Sequence, residues 1–178
     1  MTGWHEDLIV FWFGLEPEQW WKADPELDAA IKDRFHDIWA EQKEQLPAAF
    51  LDSPRNALAA VVLFDQVPRN MFRGHADQFR TDALALAIAG AAVDNGLDHA
   101  LAQAERGFLY MPFQHSEDLA DQRRSLLLFT ALGDSYQLRY AKLHHDVIER
   151  FGRFPHRNAI LGRTPRAAEI EAGDVTPW

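Results

Sequence analysis

The segment at residues 53–74, SPRNALAAVVLFDQVPRNMFRG, decides the fold. It starts with Ser53-Pro54, where the serine hydroxyl caps a helix and the proline occupies a first-turn position that needs no amide hydrogen bond. From Ala57 to Phe64 every side chain is apolar. A helix that is apolar on all sides is normally surrounded by other elements. The segment therefore predicts a buried helix enclosed by further helices.

The flanking sequence shows helical spacing of apolar residues and no convincing alternation with a period of two. Short turns, such as the one at residues 133–135, join neighbouring helices as antiparallel pairs. We therefore predict one all-α domain over residues 1–178, with about eight helices. The predicted helices span residues 4–13, 25–45, 54–64, 83–93, 98–105, 116–132, 136–151 and 165–172, and residues 175–178 form a tail.

Composition restricts the classes of function. The 178 residues carry a net charge of -9, which argues against a general nucleic-acid binder because phosphate contacts need a basic face. The absence of cysteine excludes disulfides and thiol catalysis. Neither G-x-x-x-x-G-K-[ST] nor G-x-G-x-x-G occurs, and we expect no cofactor. The apolar run 8–13 follows no basic region and is too short to span a membrane, so we expect a cytoplasmic protein.

A second distinctive segment, RFGRFPHRNAILGR at residues 150–163, places four arginines among apolar neighbours in an acidic protein. An arginine drawn towards a core needs a carboxylate, a carbonyl or a bound anion. Fourteen arginines against four lysines suit planar anion contacts, although a high-GC genome produces the same bias. We expect this segment to meet residues 65–74 and 115–122 at one polar cleft.

The cleft would contain three kinds of side chain. The predicted ligand-binding residues are Arg69, Asn70, Arg73, Gln122, Arg153, His156, Arg157 and Asn158. If there is chemistry, His115 and Glu117 form the proton-transfer pair, and Asp65 and Asp121 are structural ion-pair partners. Asp65 would sit at the C-terminal end of its helix, where a carboxylate meets the negative end of the dipole. The alternative is that these groups form only a structural arginine–carboxylate network.

Histidines leave a metal site as a further alternative. His144 lies on the apolar face of its helix, which is typical of a hydrogen-bonded core histidine. Together, His115, Glu117, His144 and His156 would offer a plausible nitrogen and oxygen ligand set. However, no H-E-x-x-H motif occurs. We therefore assign no metal ligand, and a metal-assisted hydrolase remains the third interpretation.

Five motifs resemble one known family in the same order along nearly the whole chain. They are FWFG at 11–14, DQVPRN with FRG at 65–74, FLYMPF running into HSED at 108–118, Gln122 with Ser125, and RFGRFPHRN at 150–158. This pattern is similar to the bacterial family called domain of unknown function 924. The resemblance implies an all-helical fold like that of tetratricopeptide-repeat proteins, and it implies no established activity. Residues 164–173 depart from the family pattern, so we expect the last helix to pack more weakly.

We predict a protein that binds a small anionic ligand, or the acidic end of a peptide, in an arginine-lined cleft with or without acid–base chemistry. The alternative is a non-catalytic interaction domain of tetratricopeptide type. Neither nucleic acid nor membrane is an expected partner. The sequence leaves open whether the protein is an enzyme and how many copies assemble.

Overall fold

The computed structural model describes residues 3–177, which form only helices and their connections. Met1, Thr2 and Trp178, the last residue of the predicted tail, lie outside the described residues. The α-helices are α1 (Trp4–Phe13), α2 (Pro25–Gln42), α3 (Pro54–Val61), α4 (Val67–Met71), α5 (Asp82–Asp94), α6 (Gln103–His115), α7 (Leu119–Leu132), α8 (Ser135–Phe151) and α9 (Ala167–Ala172). The all-α prediction is confirmed.

Short helical turns fill most of the connections. Single 3-10 turns occur at Pro17–Trp20, Pro47–Phe50, Ala76–Phe79, Leu97–Ala100 and Pro155–Arg157. The chain divides into two compact units, the first ending at Leu109 and the second beginning at Tyr110. Among the described residues, no helix is both long and apolar enough to cross a membrane.

The buried helix of the first unit is longer than its sequence predicts. Between α3 and α4 lies the π-helical turn Val62–Gln66, in which the amide of Val67 donates to the carbonyl of Val62. The three segments form one continuous helix, so the described chain has eight helices. The predicted end at residue 64 is wrong because the wider π turn lets Pro68 enter α4 in its first turn, where a missing amide is tolerated.

This continuation changes the setting of the acidic residue at its middle. Asp65 lies fully buried inside the π turn rather than at a helix end. The unfavourable dipole contact predicted for it therefore does not apply. The relevant constraint on Asp65 is its burial, because a buried carboxylate needs a hydrogen-bonding or charged partner.

Hydrogen bonds tie the core of the first unit to this helix. The hydroxyl of Thr81 donates to the carbonyl of Phe64 at 2.7 Å and accepts from the indole of Trp39 at 3.2 Å. Phe64 also meets Phe50 edge to face, with ring centroids 5.4 Å apart. Thr81 thus joins α2 to the π turn, and its side chain makes no capping hydrogen bond to α5.

In the second unit, α7 and α8 form the predicted antiparallel pair. Asp118 caps α7, Asp134 caps α8, and the tight turn between them uses Gly133 at φ 77°, which favours glycine. Ser116, the first residue of the predicted helix 116–132, lies before α7 and accepts a hydrogen bond from the amide of Asp118 at 3.1 Å. Aspartates therefore cap both helices, Asp118 two positions after the predicted start at residue 116 and Asp134 two positions before the predicted start at residue 136.

One predicted helix is wrong. Residues 98–105 divide between the 3-10 turn Leu97–Ala100 and the start of α6, which then continues through Gly107 and Pro112. All residues from 107 to 114 are buried. Burial of this segment stabilises the helix and outweighs the low helical propensity of glycine and proline.

We predict that Phe64→Ala lowers the free energy of unfolding by about 3–5 kcal/mol, since a fully buried aromatic ring leaves a cavity. Urea denaturation followed by circular dichroism measures the loss. Leu127→Ala on α7 is the control, because Leu127 is 73% exposed and its truncation should cost under about 0.5 kcal/mol. Equal losses in the two variants would contradict the assignment of Phe64 to the core.

Candidate functional site

Glu117 lies just before α7 and is held by three donors from the 150–163 segment. Arg163 donates to both carboxylate oxygens at 2.7 and 3.0 Å, and the amide of Phe154 donates at 2.7 Å. Burial alone would raise the pKa of Glu117, but hydrogen bonds from Arg163 and Phe154 outweigh it and lower the pKa. Glu117 is therefore a structurally engaged carboxylate near neutral pH.

A second carboxylate, Glu169 on α9, is bound more tightly. Arg153 donates through Nε at 2.6 Å and Nη2 at 2.8 Å, in the two-point geometry of a guanidinium–carboxylate pair. Asn158 donates at 2.9 Å and the amide of Arg166 at 2.8 Å. These contacts, with Arg153 foremost, lower the pKa of Glu169 to about 2.

Asn158 joins the two carboxylate centres. Its side-chain oxygen accepts from Nε of Arg163 at 3.0 Å, while its amide nitrogen donates to Glu169. The five residues Glu117, Arg163, Asn158, Glu169 and Arg153 thus form one connected chain of hydrogen bonds, here called the arginine–carboxylate network. It ties the start of α7, the segment after α8 and α9 together.

Two histidines, His144 and His156, and Arg157 lie against the ring of Phe154. The guanidinium carbon of Arg157 lies 4.5 Å from the ring centroid, and Nη2 donates to the carbonyl of His115 at 3.1 Å. The rings of His144 and His156 each lie 5.5 Å from that of Phe154. Arg157 therefore serves as a packed, hydrogen-bonded cation beside a group of imidazoles.

Burial keeps two of these imidazoles neutral. It lowers the pKa of His144 to about 3, with further lowering by His115, and lowers that of His156 to about 4, with further lowering by Arg157. Nδ1 of His144 lies 2.8 Å from the carbonyl of Tyr140, so the neutral ring donates there. The prediction of His144 as a hydrogen-bonded core residue is confirmed.

Gln122 and Asp121 hold the connection between α6 and α7. The amide nitrogen of Gln122 donates to the carbonyls of Gln114 and Ser116, both at 2.7 Å. These bonds satisfy carbonyls at the C-terminal end of α6, which lack helical partners. Asp121, predicted as an ion-pair partner, accepts a hydrogen bond from the hydroxyl of Ser116 at 2.7 Å.

In the first unit, Arg69 is bound by two aspartates. It donates to both oxygens of Asp82 at 2.9 and 3.0 Å and also contacts the carboxylate of Asp65 at 3.3 Å and the carbonyl of that residue. Burial alone would lower the pKa of Arg69, but the two carboxylates raise it. The predicted partnership of Asp65 with a nearby arginine is thus present in the structure.

Arg73 and Asn70 are engaged in the same region. Arg73 donates to both oxygens of Asp28 at 2.6 and 2.8 Å and to the side-chain oxygen of Asn70 at 3.1 Å. The amide nitrogen of Asn70 donates to the carbonyl of Gln66 at 3.0 Å. The polar residues of the 65–74 segment therefore satisfy one another and nearby helices of the first unit.

The histidines and Glu117 do not assemble as a metal centre. Within residues 3–177, the ligand atoms that come close enough for one ion belong to a different group, His145, Asp146 and Glu149 on α8. The last two are exposed, and such groups are common on protein surfaces. The ligand set considered from the sequence therefore has no geometric counterpart among the described residues.

A pocket of about 410 Å³ adjoins the arginine–carboxylate network in the second unit. Asn158 and Glu169 reach it from the network, and His156 forms part of its wall. The remaining lining residues are Pro155, Pro165, Ile170, Gly173, Asp174, Val175 and Thr176. Of the eight predicted ligand-binding residues, His156 and Asn158 line this pocket.

Sequence reasoning missed Glu169 as a member of the site. A signal was available, because a glutamate at the third helical position often reaches back to the amide of the N-cap residue. Glu169 makes this contact with the amide of Arg166. Its further contact with Arg153, sixteen residues earlier, depends on tertiary structure and has no local signature.

We predict that Asp82→Ala lowers the free energy of unfolding by about 2–3 kcal/mol, because the largely buried Arg69 loses its two-point partner. Asp28→Ala is a matched control: Asp28 also lies in the first turn of a helix, but its partner Arg73 is more exposed. That variant should lose under about 1 kcal/mol. A loss for Asp28→Ala as large as that for Asp82→Ala, in urea denaturation, would contradict this ranking.

We also predict a loss of stability on acidification. An unfolded histidine takes up a proton below about pH 6.5, whereas folded His144 does so only near pH 3. Between these values the unfolded state binds more protons, so the free energy of unfolding falls as the pH falls, by up to about 1.4 kcal/mol per pH unit.

His144→Gln should flatten this pH dependence between about pH 6.5 and 4, as measured by urea denaturation at several pH values. His99→Gln, which changes an exposed histidine, should leave the slope as in the parent protein. An unchanged slope in His144→Gln would show that another group causes the acid sensitivity.

Comparison with known proteins shows that this chain matches a protein family. The model of the family described as "Bacterial protein of unknown function (DUF924)" matches residues 8–172. A similar solved structure is that of a protein of unknown function, ATU0120, from Agrobacterium tumefaciens, with 38% sequence identity and a TM-score of 0.88. The likeness covers 95% of this chain and 96% of that one. No curated protein matches the chain.

The family match extends from α1 to the end of α9, so it includes every residue of the arginine–carboxylate network. The agreement of fold and sequence over nearly the full length leaves no part of the site outside the match. The chain therefore belongs to the DUF924 family of bacterial proteins of unknown function.

Proposed function

We propose that this protein binds a small anionic ligand, or the acidic end of a peptide, through Asn158, which lines the pocket of the second unit, and Arg153, which pairs with the pocket-lining Glu169. The observation that carries the proposal is the binding of the Glu169 carboxylate by these two side chains. Their donors already converge on one planar anion. The adjoining pocket of about 410 Å³ provides room for the rest of a small molecule.

The proposal narrows the set of arginines expected from the sequence. Arg69 and Arg73 are occupied by aspartates in the first unit, and Arg157 packs on Phe154. Arg153, by contrast, holds a carboxylate that borders a pocket. We therefore assign anion binding to Arg153 and Asn158, with His156 as a neutral hydrogen-bonding neighbour.

Binding is favoured over acid–base chemistry. A general base works best with a pKa near the working pH, but the contacts of Glu117 with Arg163 and Phe154 lower its pKa. The pair of His115 and Glu117 thus gains no support as a proton-transfer pair. A metal-assisted hydrolase gains none either, because the ligand atoms considered for it do not come together in the described chain.

A non-catalytic interaction domain of tetratricopeptide type remains the second candidate. It is favoured by the antiparallel pair of α7 and α8, whose surface carries the exposed apolar side chains Leu127, Tyr136 and Leu143. In that case the arginine–carboxylate network would only hold the fold. In either case we propose a cytoplasmic location, since the acidic, cysteine-free composition suits one.

The proposal predicts that succinate and inorganic phosphate, titrated into ¹⁵N-labelled protein, shift the side-chain signals of Arg153 and Asn158. Arg153→Lys should weaken binding of either anion because lysine keeps the charge but lacks the two-point fork. Arg150→Lys, at the exposed end of α8, is the control and should bind as the parent does. Shifts that are scattered, or that persist in Arg153→Lys, would instead favour the interaction domain.

A further inference from the structure

The donors of the proposed site are occupied by the protein itself. The Glu169 carboxylate accepts hydrogen bonds from Nε and Nη2 of Arg153 and from the side-chain amide of Asn158. An external anion reaches these donors only by replacing that carboxylate. The way in which Glu169 and its helix are attached therefore determines whether the site can open.

Within α9 the buried polar contact is made by Glu169, and just before α9 the side chain of Arg166 donates to the carbonyl of Phe151 at 3.0 Å. Glu169 is its buried residue, whereas Ala167, Ala168 and Glu171 are exposed and Ile170 is 69% exposed. A helix of six residues has little stability of its own in water. Replacing the Glu169 contact would therefore release α9 with little loss of buried apolar surface.

The donors stay in position without α9. Nη2 of Arg153 also donates to the carbonyl of Thr164 at 2.9 Å, before α9 begins. The side chain of Asn158 is oriented by Arg163, which is itself held by Glu117. The remaining donor to Glu169, the amide of Arg166, directly precedes α9, and the side chain of Arg166 is held separately by the carbonyl of Phe151. The part that remains is a preformed pair, Arg153 and Asn158.

The surroundings select the class of anion. The edge of a guanidinium matches the two oxygens of a planar carboxylate. Asp174 adds a negative charge at the pocket wall, and Glu117 lies near enough to interact electrostatically with Arg153. Phosphate concentrates up to two negative charges on the one group that enters the site, so both acids would repel it more strongly than a carboxylate group, which carries one. The site therefore suits a carboxylate.

We infer that Glu169 is an internal ligand of a carboxylate-binding site, and that an external carboxylate displaces it and releases α9. This inference rests on the proposed function and adds to it the ligand class and a means of regulation. The apparent affinity for an external carboxylate falls as the fraction of molecules in which Glu169 occupies the donors rises. Any change in the protein that detaches α9 would therefore strengthen binding of the external carboxylate.

The test compares Glu169→Gln with Glu171→Gln. Both variants remove one negative charge from α9, but Glu171 is exposed and makes no contact with the network. Isothermal titration with succinate should give about tenfold or greater tightening for Glu169→Gln and under about twofold change for Glu171→Gln. Glu169→Ala removes every acceptor at this position and should bind at least as tightly. Adding Arg153→Lys to Glu169→Gln should abolish the gain.

A second measurement follows α9 directly. Succinate added to the parent protein should speed amide hydrogen exchange at residues 167–172, whereas phosphate at equal concentration should do so less. If the parent binds succinate through Arg153 but neither variant at position 169 binds more tightly, the inference is overturned and the proposed function stands. If no variant binds succinate or phosphate, both are overturned.

Discussion

The second unit depends on the requirement that buried guanidinium and carboxylate groups satisfy one another. Glu117 and Glu169 both contact the segment after α8, and Arg163 and Asn158 connect them through hydrogen bonds of 2.7–3.0 Å. Because each charge would be costly to bury alone, removing one member leaves its partner unsatisfied. The segment from 152 to 166, which has no long helix, takes its conformation from this network.

The sequence predicted the helices best where a local cap or an apolar run specified them. The first helix, at residues 4–13, matches α1, and the pair at 116–132 and 136–151 matches α7 and α8 to within three residues. The predicted helix bounds were wrong where burial against other helices determines the backbone conformation. Neither the π turn at Val62–Gln66 nor the passage of α6 through Pro112 follows from propensity, since both depend on the surrounding helices.

The site was predictable in type but not in pairing. The arginines among apolar neighbours indicated carboxylate or carbonyl partners, which Arg153, Arg157 and Arg163 have, whereas Arg150 is exposed. Which carboxylate meets which arginine depends on contacts between positions far apart in sequence, such as Glu117 with Arg163. A single sequence, read by itself, carries no signal for such pairs. For the same reason the sequence directed attention to Asp121, which bonds Ser116, and missed Glu169.

A network that holds a fold and a site that binds a ligand need not be alternatives. The donors that grip Glu169 are fixed by Thr164, Arg163 and Glu117, none of which belongs to α9. Rigid donors of this kind stabilise the closed chain and, by the same geometry, would favour an external carboxylate without reorganisation. In the proposed mechanism, the balance between the two uses depends on how firmly α9 is attached. Since the surface of α9 is mostly exposed, that attachment depends on polar contacts, from Glu169 and from Arg166 to the carbonyl of Phe151, more than on a hydrophobic interface.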